Sequence, residues 1–280
     1  MMRNFLIFFC LIASKIQAQS LLWKIECSTC PGPSYLYATM HVKDSRAFQF
    51  SDSLLPAISN SELFALEVAM DSINPISFLP VVMLPKKKTL KDYYSKKKYK
   101  IIKQKFKEKT GKDIALFFKM KPFFIQSMLN ENVLNNEEEN FLDLHLYNLA
   151  KEQNKKIVGL ENLQDQINAL NSIPLKEQAK NLYKALTEGQ SKEEEILKEM
   201  LEKYVEADLD ALYELIKKTE YKNEFLKKLL DDRNITMANR FAEYARGHTL
   251  FAAIGAGHLP GTNGVLQLLR NKGFTVTPVK

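Results

Sequence analysis

Apolar positions along the chain follow two periods, and the clearest stretch lies near its end. Thr249 to Ile254 is a continuous apolar run, the pattern of a strand buried on both faces. Gly255 and Gly257 break it. Val265, Leu266, Leu268 and Leu269 then recur at helical spacing, with Thr262 or Asn263 as N-cap and Gly273 as the stop. Phe274 to Val279 reads as a further strand, and so short a strand–helix–strand unit predicts parallel pairing through a right-handed crossover. At the other end, Leu21 to Ile25 and Ser34 to Thr39 alternate as strands of a hairpin. A helix over Ser51 to Ser59 and a buried strand over Glu62 to Val68 follow. Proline interrupts Pro75 to Pro85, which predicts loop. Helical spacing returns in Lys86 to Lys109, in Phe117 to Leu134 with a break at Lys121-Pro122, and in Asn140 to Asn154. Lys156 to Leu160 reads as a strand. Leu175 to Leu230 is helical in period, with Ile196, Met200, Tyr204, Leu212, Ile216, Phe225 and Leu229 among its core positions. Asp232-Arg233-Asn234 precedes a last helix reaching toward Arg246. The expectation is an α/β fold: a mixed, largely parallel sheet flanked by helices, with a long helical middle region and a C-terminal β-α-β unit.

Composition changes this picture at the amino terminus. Arg3 opens a short basic region, Phe5 to Ala13 is an apolar core too short to span a bilayer, and Ala18 offers a small-residue cleavage site. Residues 1–18 therefore read as a signal peptide, and 19–280 as one domain of the secreted or periplasmic chain. No later segment has the length of a transmembrane helix. The formal charge of +7 is concentrated. Lys86 to Lys109 holds twelve lysines against Asp92 and Glu108. The segment contains no arginine, the usual reader of bases, so it reads as a solvated helix face, and no nucleic-acid partner is expected. Cys27 and Cys30 flank a turn closed by Pro31-Gly32-Pro33. In an oxidising compartment that spacing suits a local disulfide better than zinc, which needs two more ligands, or a redox dithiol, which normally opens a helix.

Candidate chemistry sits where the strands end. His41 and His258 each lie just beyond the carboxyl end of an expected strand, the edge at which open α/β sheets bind ligands. Glu67 reaches the same edge if its strand runs parallel to theirs. A glutamate in an apolar run is expensive unless it is paired, liganded or at a strand end. Two imidazoles and a carboxylate converging there would suit a divalent metal with room for water; otherwise each caps a loop. His145 falls within a helix and His248 at the opposite edge, so both read as structural. The glycines from Gly255 to Gly264 do not make a dinucleotide site, because no ribose-binding acid follows before the chain ends.

At these residues the sequence resembles a known family. Leu22-Trp23-Lys24-Ile25, Ser34 to His41, Leu66-Glu67, Gly159-Leu160-Glu161, Asp232-Arg233-Asn234 and Gly255-Ala256-Gly257-His258-Leu259-Pro260-Gly261 look like the TraB/PrgY/GumN family. That group includes the animal Tiki proteases, and its fold is related to the erythromycin-esterase and ChaN proteins. The family is marked by two Gly-x-x-His motifs and a glutamate. The second motif matches as Gly255 to His258, while Ala38 replaces the glycine of the first, which alanine tolerates if φ is negative. The resemblance implies a metal-dependent hydrolase, foremost a peptidase, acting on a peptide or small-molecule substrate. His41, Glu67 and His258 would hold a divalent ion (manganese, cobalt or zinc) that polarises the scissile carbonyl. Glu67 is either ligand or general base. Arg233 and Glu161 would pair with substrate or support the site, structural salt bridging being their simpler role. The alternatives are sequestration of a peptide or small ligand without turnover, and metal-free hydrolysis by a histidine–glutamate pair.

Overall fold

The computed structural model describes residues 19–72, 75–130, 133–188, 192–219 and 223–280. The expected signal peptide lies outside them. Six strands form one sheet: β1 (Leu22–Glu26), β2 (Ser34–Thr39), β3 (Leu63–Leu66), β4 (Lys156–Gly159), β5 (Leu250–Gly255) and β6 (Thr275–Val279), in the order β4-β3-β5-β2-β1-β6. The first four of that order run parallel, joined through β3–β4, β3–β5 and β2–β5. Strand β5 is central, and Leu250 to Ile254 are all buried, as an uninterrupted apolar run requires of a strand covered on both faces. The β1–β2 hairpin is antiparallel, and Cys27 is disulfide-bonded to Cys30 in its turn.

The closing β-α-β unit differs from expectation. Strand β6 runs parallel to β5 but does not pair with it; it crosses past β2 and pairs antiparallel with β1, Trp23 opposite Pro278. Both of β5's edges are already taken by β2 and β3, so the crossover must reach an open edge of the sheet, here that of β1.

Helices cover the sheet and continue away from it. In chain order they are α1 (Leu54–Ser59), α2 (Pro75–Val82), α3 (Lys96–Thr110), α4 (Pro122–Asn130), α5 (Leu142–Glu152), α6 (Leu163–Asn171), α7 (Leu175–Thr187), α8 (Lys192–Val205), α9 (Leu209–Lys217), α10 (Asn223–Leu226), α11 (Asp232–Gly247) and α12 (Val265–Asn271). Helix α2 replaces the expected loop: Pro75 opens it, where the missing N–H would be unpaired anyway, and Pro80 is carried inside. Helix α12 starts from Gly264 rather than from Thr262 or Asn263. A π-helical turn, Lys227–Asp231, joins α10 to α11, so Arg233 and Asn234 lie inside a helix rather than ahead of one.

Two apolar clusters result. The main one packs the sheet between α1, α5, α11 and α12, with Phe64, Phe251, Phe241 and Leu146 fully buried. A second joins α3, α4 and α7 through Ile102, Phe106, Ile125 and Leu182. The lysines of α3 lie mostly on its outer side while Ile102 and Phe106 face inward, the solvated-face arrangement its spacing predicts. Among the described residues no helix is long and apolar enough to cross a membrane.

Candidate active site

Parallel pairing of β2, β3, β4 and β5 brings four expected residues to one edge. His41 follows β2, Glu67 follows β3, Glu161 follows β4 and His258 follows β5. The β3–β4 ladder runs on past the strands, with Leu160 N–H donating to Leu66 O and Glu161 N–H to Glu67 O, so the two glutamates leave the sheet side by side. Strand β3 ends at Leu66. Glu67 is therefore one residue beyond the strand, where side chains from α6 and α11 can reach its charge.

Arg233, in the first turn of α11, lies between the two carboxylates. Its Nε donates to Glu161 Oε2 at 2.9 Å, and its Nη2 donates to Glu161 Oε1 at 2.5 Å and Glu67 Oε2 at 2.6 Å. Nη1 donates to Leu229 O of the π-helical turn. This is a forked pairing that a lysine could not make. Glu161 is wholly enclosed; burial pushes its carboxyl above the usual range, with Arg233 pulling against that. Arg233 is raised despite its own burial, because both glutamates hold its charge.

Glu67 receives a donor on each oxygen. Oε1 accepts from Gly255 N–H at 2.9 Å, and Oε2 also accepts from Gln166 Nε2 at 3.1 Å. Burial alone would raise this carboxyl. The charges of Arg233 and of His258, protonated in the acid range where Glu67 titrates, outweigh it together with the Gly255 N–H, and hold it at about 2. Glu67 is thus a fixed anion at neutral pH.

His258 is buried, and desolvation lowers its pKa to about 4, Glu67 opposing and Arg233 assisting, so the ring is neutral. Its Nδ1 lies 2.6 Å from Asn234 Oδ1, and Asn234 is oriented by donation from Nδ2 to Asn263 O at 2.8 Å. An amide oxygen only accepts, so Nδ1 carries the proton and Nε2 keeps its lone pair. That lone pair lies 3.7 Å from Glu67 Oε1, too long for a hydrogen bond and with no proton to share. Two Lewis bases face each other across a gap.

His41 stands apart. Its side chain is 72 % exposed, its ring stacks on Phe141 at 4.0 Å, and its Nδ1 is 3.1 Å from Asp143 Oδ2. Asp143 Oδ1 in turn accepts from Thr39 Oγ1 at 2.5 Å. His41 and Glu67 line one cleft of about 330 Å³, with Thr39, Asp143, Gln166 and Gly255. His258 does not line that cleft; it adjoins Gly255, which does. Both histidines therefore have Nδ1 held by an oxygen, the device that orients a ligating ring and leaves Nε2 to the ion. The donor set fits a divalent cation in kind: two imidazole nitrogens and a carboxylate. As they stand, Glu67 and His258 are brought together, while among the described residues no three His, Cys, Asp or Glu side chains gather closely enough to enclose an ion.

The family model for TraB/PrgY/gumN proteins matches residues 21–278. The chain belongs to this family. Among curated relatives it is similar to Metalloprotease TIKI2 of Xenopus tropicalis (23 % identical, 94 % of this chain, 60 % of that protein). It is also similar to Metalloprotease TIKI1 of the same frog (23 %, 93 % and 61 %) and to Metalloprotease TIKI1 of Danio rerio (22 %, 92 % and 62 %). The chain thus spans about three-fifths of the length of these relatives. No solved structure matches.

Asn234, Asp143, Gln166 and the Gly255 N–H were not assigned roles by the sequence reading. Asn234 could have been found, since it belongs to the Asp232-Arg233-Asn234 string shared with the family. Asp143 and Gln166 sit on α5 and α6 as ordinary polar helix residues and carry no such signal. His145 stacks against Phe50 and His248 pairs with Glu62 on the far edge, the structural parts expected of them.

Proposed function

We propose that this chain is an exported metal-dependent peptidase whose ion is held by His258 and Glu67, with His41 completing the set from the cleft wall. The observation that carries the reading is the unprotonated His258 Nε2 facing the ionised Glu67 Oε1. Neither atom has a proton to give the other, so the gap between them offers a nitrogen and an oxygen donor to a cation. A divalent ion bound there would supply Lewis acidity toward a scissile carbonyl. Glu67 suits ligation better than proton abstraction, because a carboxyl held so far below neutrality is a weak base. Arg233 and Glu161 set the position and charge of Glu67 rather than touching substrate. Asn234 fixes the tautomer of His258, and Asp143 that of His41. The Cys27–Cys30 disulfide is in keeping with an oxidising compartment. The names of the Tiki relatives favour peptide as substrate.

The test is metal content and peptide cleavage together. Purified wild-type protein dialysed against manganese, cobalt or zinc is expected to retain an ion and to cut peptides, and a chelator should remove both properties. His258→Ala and Glu67→Gln should lose the ion. Retention no greater in wild type than in His258→Ala, for all three metals, would remove this mechanism.

The Thr39–Asp143–His41 chain favours a second reading, metal-free hydrolysis. A histidine oriented by a carboxylate at an open cleft can accept a proton from water or a hydroxyl. Turnover that survives the chelator and is lost in Asp143→Asn would select it.

A further inference from the structure

We infer that the cleft has a specificity pocket for one bulky apolar side chain of the peptide, placed beside His41; this rests on the peptidase reading only for the identity of the ligand as a peptide. His41 lines two hollows at once. On one side is the polar cleft of Glu67. On the other is a hollow of about 250 Å³ whose apolar walls are Val42, Leu134, Phe141 and Leu197, with Lys43, Ser127 and Asn136 as its polar lining. The imidazole stands between the two as a shared wall, its ring lying flat on Phe141 at an interplanar angle of 13°. A chain laid over His41 along the polar cleft would direct a neighbouring side chain into the apolar hollow.

Chemistry sets which side chain it takes. Three of the four walls are only partly buried, so apolar surface of Leu134, Phe141 and Leu197 is left facing an open concavity beside the polar cleft. Lys43 stands at the same hollow, its Nζ donating to Glu139 O and lying 5.1 Å from the Phe141 ring centre. Among the described residues no carboxylate pairs with it. Its charge opposes a lysine or arginine entering the hollow, while leucine, methionine or phenylalanine would replace water against the walls. Ser127, exposed on α4, closes the rim.

The probes are short blocked peptides of alanine and serine, fluorescently labelled, carrying one variable residue: leucine, phenylalanine, alanine or lysine. Affinity is read by anisotropy on the full mature chain, which needs no turnover, and any cut is mapped by mass spectrometry. Leucine and phenylalanine peptides should bind about tenfold to a hundredfold more tightly than the alanine peptide, with lysine weakest. Ser127→Trp, which fills the hollow from an exposed position, and Leu197→Asp, which makes a wall polar, should each erase that ratio. The ratio is taken to the alanine peptide on the same variant, so a uniform change in affinity does not enter it. Equal affinity for all four peptides, no measurable binding, or a preference that persists in both folded variants would overturn the inference. Selective binding without any cut keeps the pocket and removes the peptidase reading. Cutting without apolar preference does the reverse.

Discussion

At the scale of single residues, the site is governed by which charges are balanced. Arg233 is 8 % exposed in its side chain and neutralises two carboxylates at once, so removing it leaves both in a low-dielectric edge. Arg233→Met should lower unfolding stability by about 3–5 kcal/mol, measured by urea titration. A loss under about 1 kcal/mol would mean that water already serves these carboxylates, as it does surface pairs. His258 predicts a pH dependence of definite sign. Its pKa falls from 6.5 to about 4 on folding, so between those values the unfolded chain binds more protons. Its stabilisation is complete above 6.5 and drains as pH falls toward 4, a shift corresponding to roughly 3 kcal/mol. Glu67, depressed to about 2, adds to the loss only below its ordinary 4.5. Urea titrations of apo protein from pH 7 to 4.5 should show this acid limb, and His258→Gln should flatten it. An unchanged limb in the variant would assign it to other groups.

At the scale of elements, the two histidine motifs are the same structural phrase with different tolerances. Thr39 on β2 pairs with Gly255 on β5, and Ala38 with Ile254, so each motif begins at a strand end and delivers its histidine just beyond. Gly255 is there for space, not for φ. A Cβ would sit 3.1 Å from Glu67 Oε1 and 3.5 Å from His258 Cδ2, and Glu67 has little freedom to give way while Arg233 and Gln166 hold it. Gly255→Ala is expected to keep the fold and weaken metal retention about 10–100-fold, as changes to supporting groups do. Ala38 faces no such demand: it is buried in regular strand at negative φ. Ala38→Gly should leave activity unchanged and lower stability by about 0.5–1 kcal/mol. A gain in metal-dependent turnover instead would show that the missing glycine had restrained the site. These elements were legible because burial on both faces writes a continuous apolar run, as in Thr249 to Ile254. The helix at Pro75–Val82 was not, because proline at a first turn leaves the same letters as proline in a loop.

At the scale of the whole molecule, the sequence reading places His41, Glu67 and His258 at one edge from strand ends alone, and the parallel ladders put them there. What it could not supply is the order of strands, which depends on pairings between residues some two hundred positions apart, such as Tyr35 with Phe251. For the same reason local spacing gives the direction of β6 but not its neighbour, which the occupancy of β5's edges decides. Strand order also has a consequence for biogenesis. The strands bearing His41 and Glu67 share no hydrogen bonds with each other; β5, made from the last thirty or so residues, is what joins them. A nascent chain stopped before Leu250 has the β1–β2 hairpin leading to His41 and the β3–β4 pair leading to Glu67, but not the strand that joins them, so completion of the sheet waits on late, non-local pairing. On the export proposed above, such a wait would keep the chain thin enough to thread through a membrane. Chains ending at Gly247 should be digested by protease as readily as unfolded protein, whereas chains ending at Lys280 resist, and the transition between them should fall within β5.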